Sequence, residues 1–245
     1  MQGPDILPKI NALWRVPVIV FMTGFLSSLS VFFSLFDGSG RLQHWCAQLW
    51  SDFIFFVSRV KVEVEGLEKL PANGRGQILM ANHLSMFDHW AFLSCLPFQF
   101  RFAAKSSLFK IPFLGWHLRR SGNLPVYFEN PRQTLKGYRE VAKKIKTGTS
   151  LVIYPEGERT FDGVMVRFKR GPFLLARTSE APIVPVTIIG AHRRLKRGSA
   201  IIRPGRMRLI FHDPIEFAEY QELELDQMAK RVQEIVASKY RLQEK

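Results

Sequence analysis

The sequence predicts an α/β fold, a mixed, mostly parallel sheet flanked by helices and preceded by an N-terminal membrane-associated two-helix hairpin. Three observations carry this. Beyond Lys61, short continuous apolar runs alternate with segments of helical periodicity, the pattern of a sheet covered on both faces. Ahead of that alternation, residues 16–36 carry no charge, and Arg15 and Asp37 bracket the run. Polar residues capable of chemistry fall just after apolar runs, where strands of an α/β sheet release the chain toward a ligand.

The uncharged run of 21 residues is just long enough for a hydrocarbon core of roughly 30 Å. Pro17, Thr23, Gly24, Ser27, Ser28, Ser30 and Ser34 make it a weak span. After Gly38-Ser39-Gly40, the apolar residues Leu42, Trp45, Cys46, Leu49, Trp50, Phe53, Phe56, Val57 and Val60 recur at helical intervals. Trp45 and Trp50 suit a membrane interface, and Arg41, Arg59 and Lys61 suit anionic headgroups. Residues 1–60 therefore read as a membrane-anchoring helical hairpin and 61–245 as the α/β domain. The alternative is that the second helix packs against that domain. Strands are expected at 60–64, 78–81, 98–103, 124–128, 151–154, 183–189 and 208–212. Helices are expected at 86–95, 107–117, 131–146, 172–178 and 223–242.

A hydrophobic content of 47% over 245 residues excludes a disordered chain, and a formal charge of +14 implies an anionic partner. Cys46 and Cys95 make neither a disulfide framework nor a four-ligand zinc pattern, which points to a reducing compartment. Arg193, Arg194, Lys196, Arg197, Arg203, Arg206 and Arg208 form a basic stretch without aromatic interleaving. Membrane docking or an acidic carrier suits it better than nucleic acid.

Asn82-His83-Leu84-Ser85-Met86-Phe87-Asp88 follows the apolar run Ile78-Leu79-Met80-Ala81. A histidine and an aspartate five apart fall on different faces of a regular helix. They meet if His83 lies on the loop after a strand and Asp88 in the first turn of the next helix, the arrangement of an oriented base. The plain alternative is a helix start with Asn82 or Ser85 as cap and Asp88 on the dipole. Leu151-Val152-Ile153-Tyr154 runs into Pro155-Glu156-Gly157-Glu158-Arg159-Thr160. There Gly157 permits a turn, Arg159 offers a donor fork matched to phosphate, and Glu156 can accept from a substrate hydroxyl. Lys105, between a strand and a helix, can reach a phosphate, and Phe109, Pro112, Phe113 and Leu114 can wall an acyl groove. Pro182-Ile183-Val184-Pro185-Val186 introduces a strand.

These four stretches, in this order, resemble the four motifs of the glycerophospholipid acyltransferases, and the PlsC-type 1-acylglycerol-3-phosphate acyltransferases in particular. His83 and Asp88 match the HxxxxD motif, 154–160 is similar to the FPEGTRS-like motif, and 182–186 matches the last. Departures from the pattern are Ser107, Tyr127-Phe128-Glu129 and Glu158, which stands where threonine is usual. The resemblance implies acyl transfer from acyl-CoA or acyl carrier protein to lysophosphatidic acid, with His83 and Asp88 catalytic. It implies substrate binding by Asn82, Lys105, Glu156, Gly157, Arg159 and Thr160. Lyso-ornithine lipid and glycerol 3-phosphate are alternative acceptors, and a non-enzymatic basic membrane binder is the alternative class. It further implies an anionic membrane partner, no cofactor beyond the acyl donor, and attachment to the cytoplasmic face of the inner membrane. The string His83, Asp88, His89 is faintly similar to the H-x-H-x-D-H string of metallo-β-lactamase-like hydrolases, but the middle histidine is absent and the first spacing is one residue too long, so no metal is expected.

Overall fold

The computed structural model describes residues 6–71, 74–127 and 130–241, and a seven-stranded sheet forms its centre. The strands are β1 (Val60–Glu65), β2 (Ile78–Ala81), β3 (Phe100–Lys105), β4 (Leu124–Val126), β5 (Ser150–Ile153), β6 (Ile183–Ile189) and β7 (Gly205–Phe211). Their spatial order is β1-β7-β6-β2-β5-β3-β4. Neighbours are parallel except β6 with β7, so the sheet is mixed and mostly parallel, as expected.

Every residue of β2 and β5 is buried, which is why these strands read as unbroken apolar runs. The pleat divides β2 between two cores. Leu79 and Ala81 join Ile54, Phe55, Phe87 and Phe92 on one face. Ile78 and Met80 join Tyr138, Val141, Phe173 and Val232 on the other. Helices α2 (Arg41–Ser58) and α3 (Phe87–Cys95) cover the first face. On the second lie α5 (Pro131–Lys146), α6 (Arg170–Ser179) and α8 (Leu225–Arg241), with α4 (Leu114–Arg120) and α7 (Ala191–Arg194) in the connections. Phe92 and Phe173 are fully buried, and each such side chain contributes about 1.5–3 kcal/mol.

Helix α1 (Ile6–Phe33) continues through Pro17 and folds back onto α2. Residues Leu13–Phe33 are long and apolar enough to cross a membrane, and Val20, Phe21, Phe25 and Phe32 face outward. Four of the five hydroxyls that weaken this segment as a span, those of Thr23, Ser28, Ser30 and Ser34, have partners. Thr23 accepts from Trp50 Nε1 at 3.0 Å, Ser30 meets His117 Nδ1 at 2.6 Å, and Ser28 and Ser34 return to carbonyls of their own helix. On α2, Cys46, Ile54 and Phe55 face the protein, while Trp45, Leu49 and Phe56 remain exposed. The second helix is thus packed on the α/β core and also presents an apolar outer face.

Two expectations change in detail, and one short helix was not expected. The single helix expected at 107–117 is a 3₁₀ turn over Ser106–Lys110 followed by α4. Pro112 causes the break, because it drives Ile111 into an extended conformation, ψ 126°, and supplies no N–H. The strand expected at 98–103 is displaced to Phe100–Lys105, so Lys105 is its last residue. Helix α7 follows Gly190, at φ 81°, and carries too few residues for its period to show. Expectations at 128 and 242 lie outside the described residues.

Candidate active site

The parallel order β6-β2-β5 brings three chain exits together at the carboxyl edge of the sheet. Asn82 leaves β2 beside β6 and prolongs the ladder with its side chain. Its Nδ2 donates to the Ile188 carbonyl at 2.9 Å, and its Oδ1 accepts from the Ile188 N–H at 2.7 Å. On the β5 side, the 154–160 loop grips the His83 backbone from both ends. Glu156 Oε1 accepts the His83 N–H at 2.6 Å, and the Thr160 N–H donates to the His83 carbonyl at 3.0 Å. Tyr154, directly after β5, stacks on the imidazole with ring centroids 4.0 Å apart and planes 13° apart. Gly157 closes the turn at φ 81°, a left-handed conformation that favours glycine.

Asp88 does lie in the first turn of α3, and its carboxylate organises the loop before it. Oδ2 accepts the N–H groups of Leu84 at 2.6 Å and Ser85 at 2.8 Å, and lies 2.8 Å from His83 Nδ1. Because a carboxylate only accepts, Nδ1 carries the proton and Nε2 keeps its lone pair. His83 lines the cavity, so that lone pair belongs to its open side. Burial, then Arg159 and Arg197, push the His83 pKa below its ordinary value, which favours the neutral imidazole. Burial raises the Asp88 pKa, and its two backbone N–H bonds oppose that rise by favouring the carboxylate. A charge arriving on the imidazole would meet this carboxylate at once.

A cavity of about 860 Å³ opens beside His83. Its walls run past Trp90, Leu93 and Phe100 to Leu26 and Cys46 of the N-terminal helices, and on the other side reach Leu135 of α5. His83, Lys105, Gly157 and Arg159 all line it, so the cavity unites these four predicted residues. Asn82, Glu156 and Thr160 stand elsewhere. Glu156, expected to face the acceptor, is fully buried with Oε1 on the His83 N–H and Oε2 on the Val166 N–H at 2.8 Å. It holds two loops together, and burial raises its pKa to about 7. Asn82 and Thr160 likewise position His83 by its surroundings rather than lining the cavity.

Arg197 is the residue that sequence reasoning misplaced. It belongs to the basic stretch read as a docking face, yet it lines the cavity and lies over the Phe161 ring, 3.9 Å from its centroid. It donates to the Arg159 carbonyl at 2.6 Å and to Glu158 Oε2 at 2.9 Å, the position that departs from the usual threonine. That departure was the available signal. Elsewhere in the stretch, Arg206 and Arg208 pair with Glu63 and Glu65 of the neighbouring strand. The His89 ring packs among those of His83, Phe102 and Tyr154. No group of three or more metal-ligating side chains comes together among the described residues.

Fold and site together define an α/β protein with a buried His–Asp dyad and flanking arginines at the mouth of a largely apolar cavity. The acyltransferase family profile matches residues 61–189, and this chain belongs to that family. It is 33% identical over 186 residues to a chloroplastic 1-acyl-sn-glycerol-3-phosphate acyltransferase of Arabidopsis thaliana, covering 75% of this chain and 52% of that one. A Brassica napus relative of the same description is 30% identical and 62% covered, so this chain spans only part of both plant proteins. The 1-acyl-sn-glycerol-3-phosphate acyltransferase of Bacillus subtilis is 30% identical over 163 residues, 66% of this chain and 77% of that one. The crystal structure of PlsC from Thermotoga maritima shares the fold, with a TM-score of 0.81 at 24% identity over 95% of this chain and 94% of that one.

Proposed function

We propose that this protein transfers a fatty acyl group from acyl-CoA or acyl carrier protein to the sn-2 hydroxyl of 1-acyl-sn-glycerol 3-phosphate, giving phosphatidic acid. The observation that carries this reading is the His83 imidazole, oriented through Nδ1 by Asp88, in the wall of an apolar cavity that Arg159 also lines. His83 Nε2 takes the acceptor hydroxyl proton as that oxygen attacks the thioester carbonyl. A C–O bond forms, the C–S bond breaks, and the proton passes from the imidazolium to the departing thiolate. Asp88 stabilises the imidazolium in between.

Attack is direct in this reading. Ser85 Oγ is buried and donates to the Leu195 carbonyl at 2.7 Å, and burial pushes the Cys95 thiol up to about 12. Neither is an activated nucleophile. Lys105 and Arg159 receive the acceptor phosphate. The Arg159 guanidinium has no salt-bridge partner among the described residues, whereas Arg197 is tied to Glu158. The outward apolar faces of α1 and α2 attach the protein to the cytoplasmic face of the inner membrane, where the acceptor resides.

Arg159→Ala tests the acceptor assignment. The KM for lysophosphatidate is expected to rise by roughly tenfold or more, as for loss of a charge-assisted phosphate contact. Uncharged 1-acylglycerol should be used no worse than before. Equal losses with the two acceptors contradict a phosphate role, and the same panel with glycerol 3-phosphate and lyso-ornithine lipid decides the headgroup.

A further inference from the structure

Attack on a thioester drives negative charge onto its carbonyl oxygen, and a preorganised donor for that oxygen is a large part of catalysis in acyl transfer. The roles assigned above supply none. His83 handles the proton, and Lys105 and Arg159 take the phosphate. Backbone N–H groups of the two loops that meet at the base are committed elsewhere. Those of His83, Leu84 and Ser85 donate to the carboxylates of Glu156 and Asp88. That of Gly157 donates to the Tyr154 carbonyl at 3.0 Å, and that of Thr160 to the His83 carbonyl.

His89 is a polar side chain beside the base that no step above employs. It follows Asp88 in α3, and its ring centroid lies 5.2 Å from that of His83, 5.1 Å from Phe102 and 4.9 Å from Tyr154. Nδ1 is buried without a hydrogen-bond partner. The residue as a whole is only half-buried and lines the cavity, so Nε2 is the nitrogen left to the open side. Trp90 Nε1 and Tyr154 Oη in the same wall are also unpaired, but both atoms are buried. Burial, then His83 and Arg159, push the His89 pKa well below its ordinary value, which favours a neutral ring with one N–H. A proton on Nδ1 would be a buried donor without an acceptor, whereas on Nε2 it meets the contents of the cavity.

We infer that His89 is a further catalytic residue, whose Nε2–H donates to the thioester carbonyl oxygen and stabilises the oxyanion that forms there. This rests on the acyl-transfer reading and concerns the acyl group, not the acceptor headgroup. A ring spacing of 5.2 Å suits two oxygens on one carbon, the attacking one at His83 and the carbonyl one at His89. As the C–O bond forms, the carbonyl π pair moves onto oxygen. It returns as the C–S bond breaks, and the thiolate takes its proton from His83. His89 keeps its own proton throughout, the part of a neutral imidazole acting as an electrophile.

The test compares His89→Phe, which keeps an aromatic ring among Phe102 and Tyr154, with His89→Gln, which restores an N–H donor. Full-length protein is assayed with acyl-CoA and acyl carrier protein donors against the acceptor panel above. His89→Phe is expected to lower kcat by about 10²-fold, with the KM for lysophosphatidate changed by less than about twofold. His89→Gln should recover at least about tenfold of that loss. A second readout is the infrared carbonyl stretch of isotope-labelled acyl-CoA bound to the His83→Ala protein, which does not turn it over. The hydrogen bond should hold that stretch at lower frequency than in the His83→Ala, His89→Phe double variant. An unaltered kcat in His89→Phe, a stretch that ignores His89, or a His89→Gln protein no faster than His89→Phe overturns the inference. Transfer to a different acceptor that still depends on His89 upholds it and refutes the lysophosphatidate reading. A wild-type protein that transfers no acyl group to any acceptor refutes both.

Discussion

Turnover by the His83→Ala protein is expected to fall by roughly 10²–10⁴-fold at saturating donor and acceptor, the range general-base assistance supplies. The loss should appear in kcat rather than in the KM for lysophosphatidate, because His83 handles a proton while Arg159 and Lys105 hold the phosphate. Folding should survive. The backbone N–H and carbonyl of residue 83, gripped by Glu156 and Thr160, remain after truncation, and the ring contacts with Tyr154 and His89 and the Asp88 contact are lost. The measurement is a steady-state assay of purified protein alongside a thermal melt. An unaltered kcat contradicts the base assignment, and a kcat loss matched by unfolding leaves the loss to structure.

Asp88→Asn separates charge from geometry. Two backbone N–H groups converge on Oδ2, so the asparagine carbonyl oxygen must occupy that place. That oxygen still accepts from Nδ1, and the imidazole keeps its tautomer. What disappears is the negative charge that stabilises the imidazolium, and kcat is expected to fall by about 10²-fold, or about 2.7 kcal/mol of transition-state stabilisation. Asp88→Ala should fall further and also lose about 1–3 kcal/mol of stability for each buried N–H left without an acceptor. Equal kcat for Asp88→Asn and wild type contradicts an electrostatic role for Asp88.

The sheet was legible because its central strands are buried on both faces and leave the same mark, an unbroken apolar run, as in 78–81 and 151–153. The His83–Asp88 pairing was legible because one connection, strand to helix, permits it and a continuous helix forbids it. What escaped depended on neighbours distant in sequence. The exposed or paired state of a carboxylate leaves no periodicity, so Glu156 read as a substrate contact although both its oxygens serve backbone N–H groups. Arg197 was hidden in a run of like charges, and only the chain path after α7 carries it to the cavity. The hydroxyls of α1 looked like defects in a span. Thr23 and Ser30 pair with Trp50 and His117, which lie 27 and 87 residues away. The clamp of Glu156 and Thr160 on His83 also gives a physical reason for the two motifs to occur together: the second is the scaffold of the first.

The most direct test of the whole reading is to mix the purified protein with acyl thioester and follow free thiol, phosphatidate and protein mass on a millisecond scale, with and without lysophosphatidate. Direct attack under His83 predicts thiol and phosphatidate in a one-to-one ratio, no thiol burst without acceptor, and no acylated protein at any time. A burst of thiol equal to the enzyme concentration, with an acyl group retained on the chain, contradicts it.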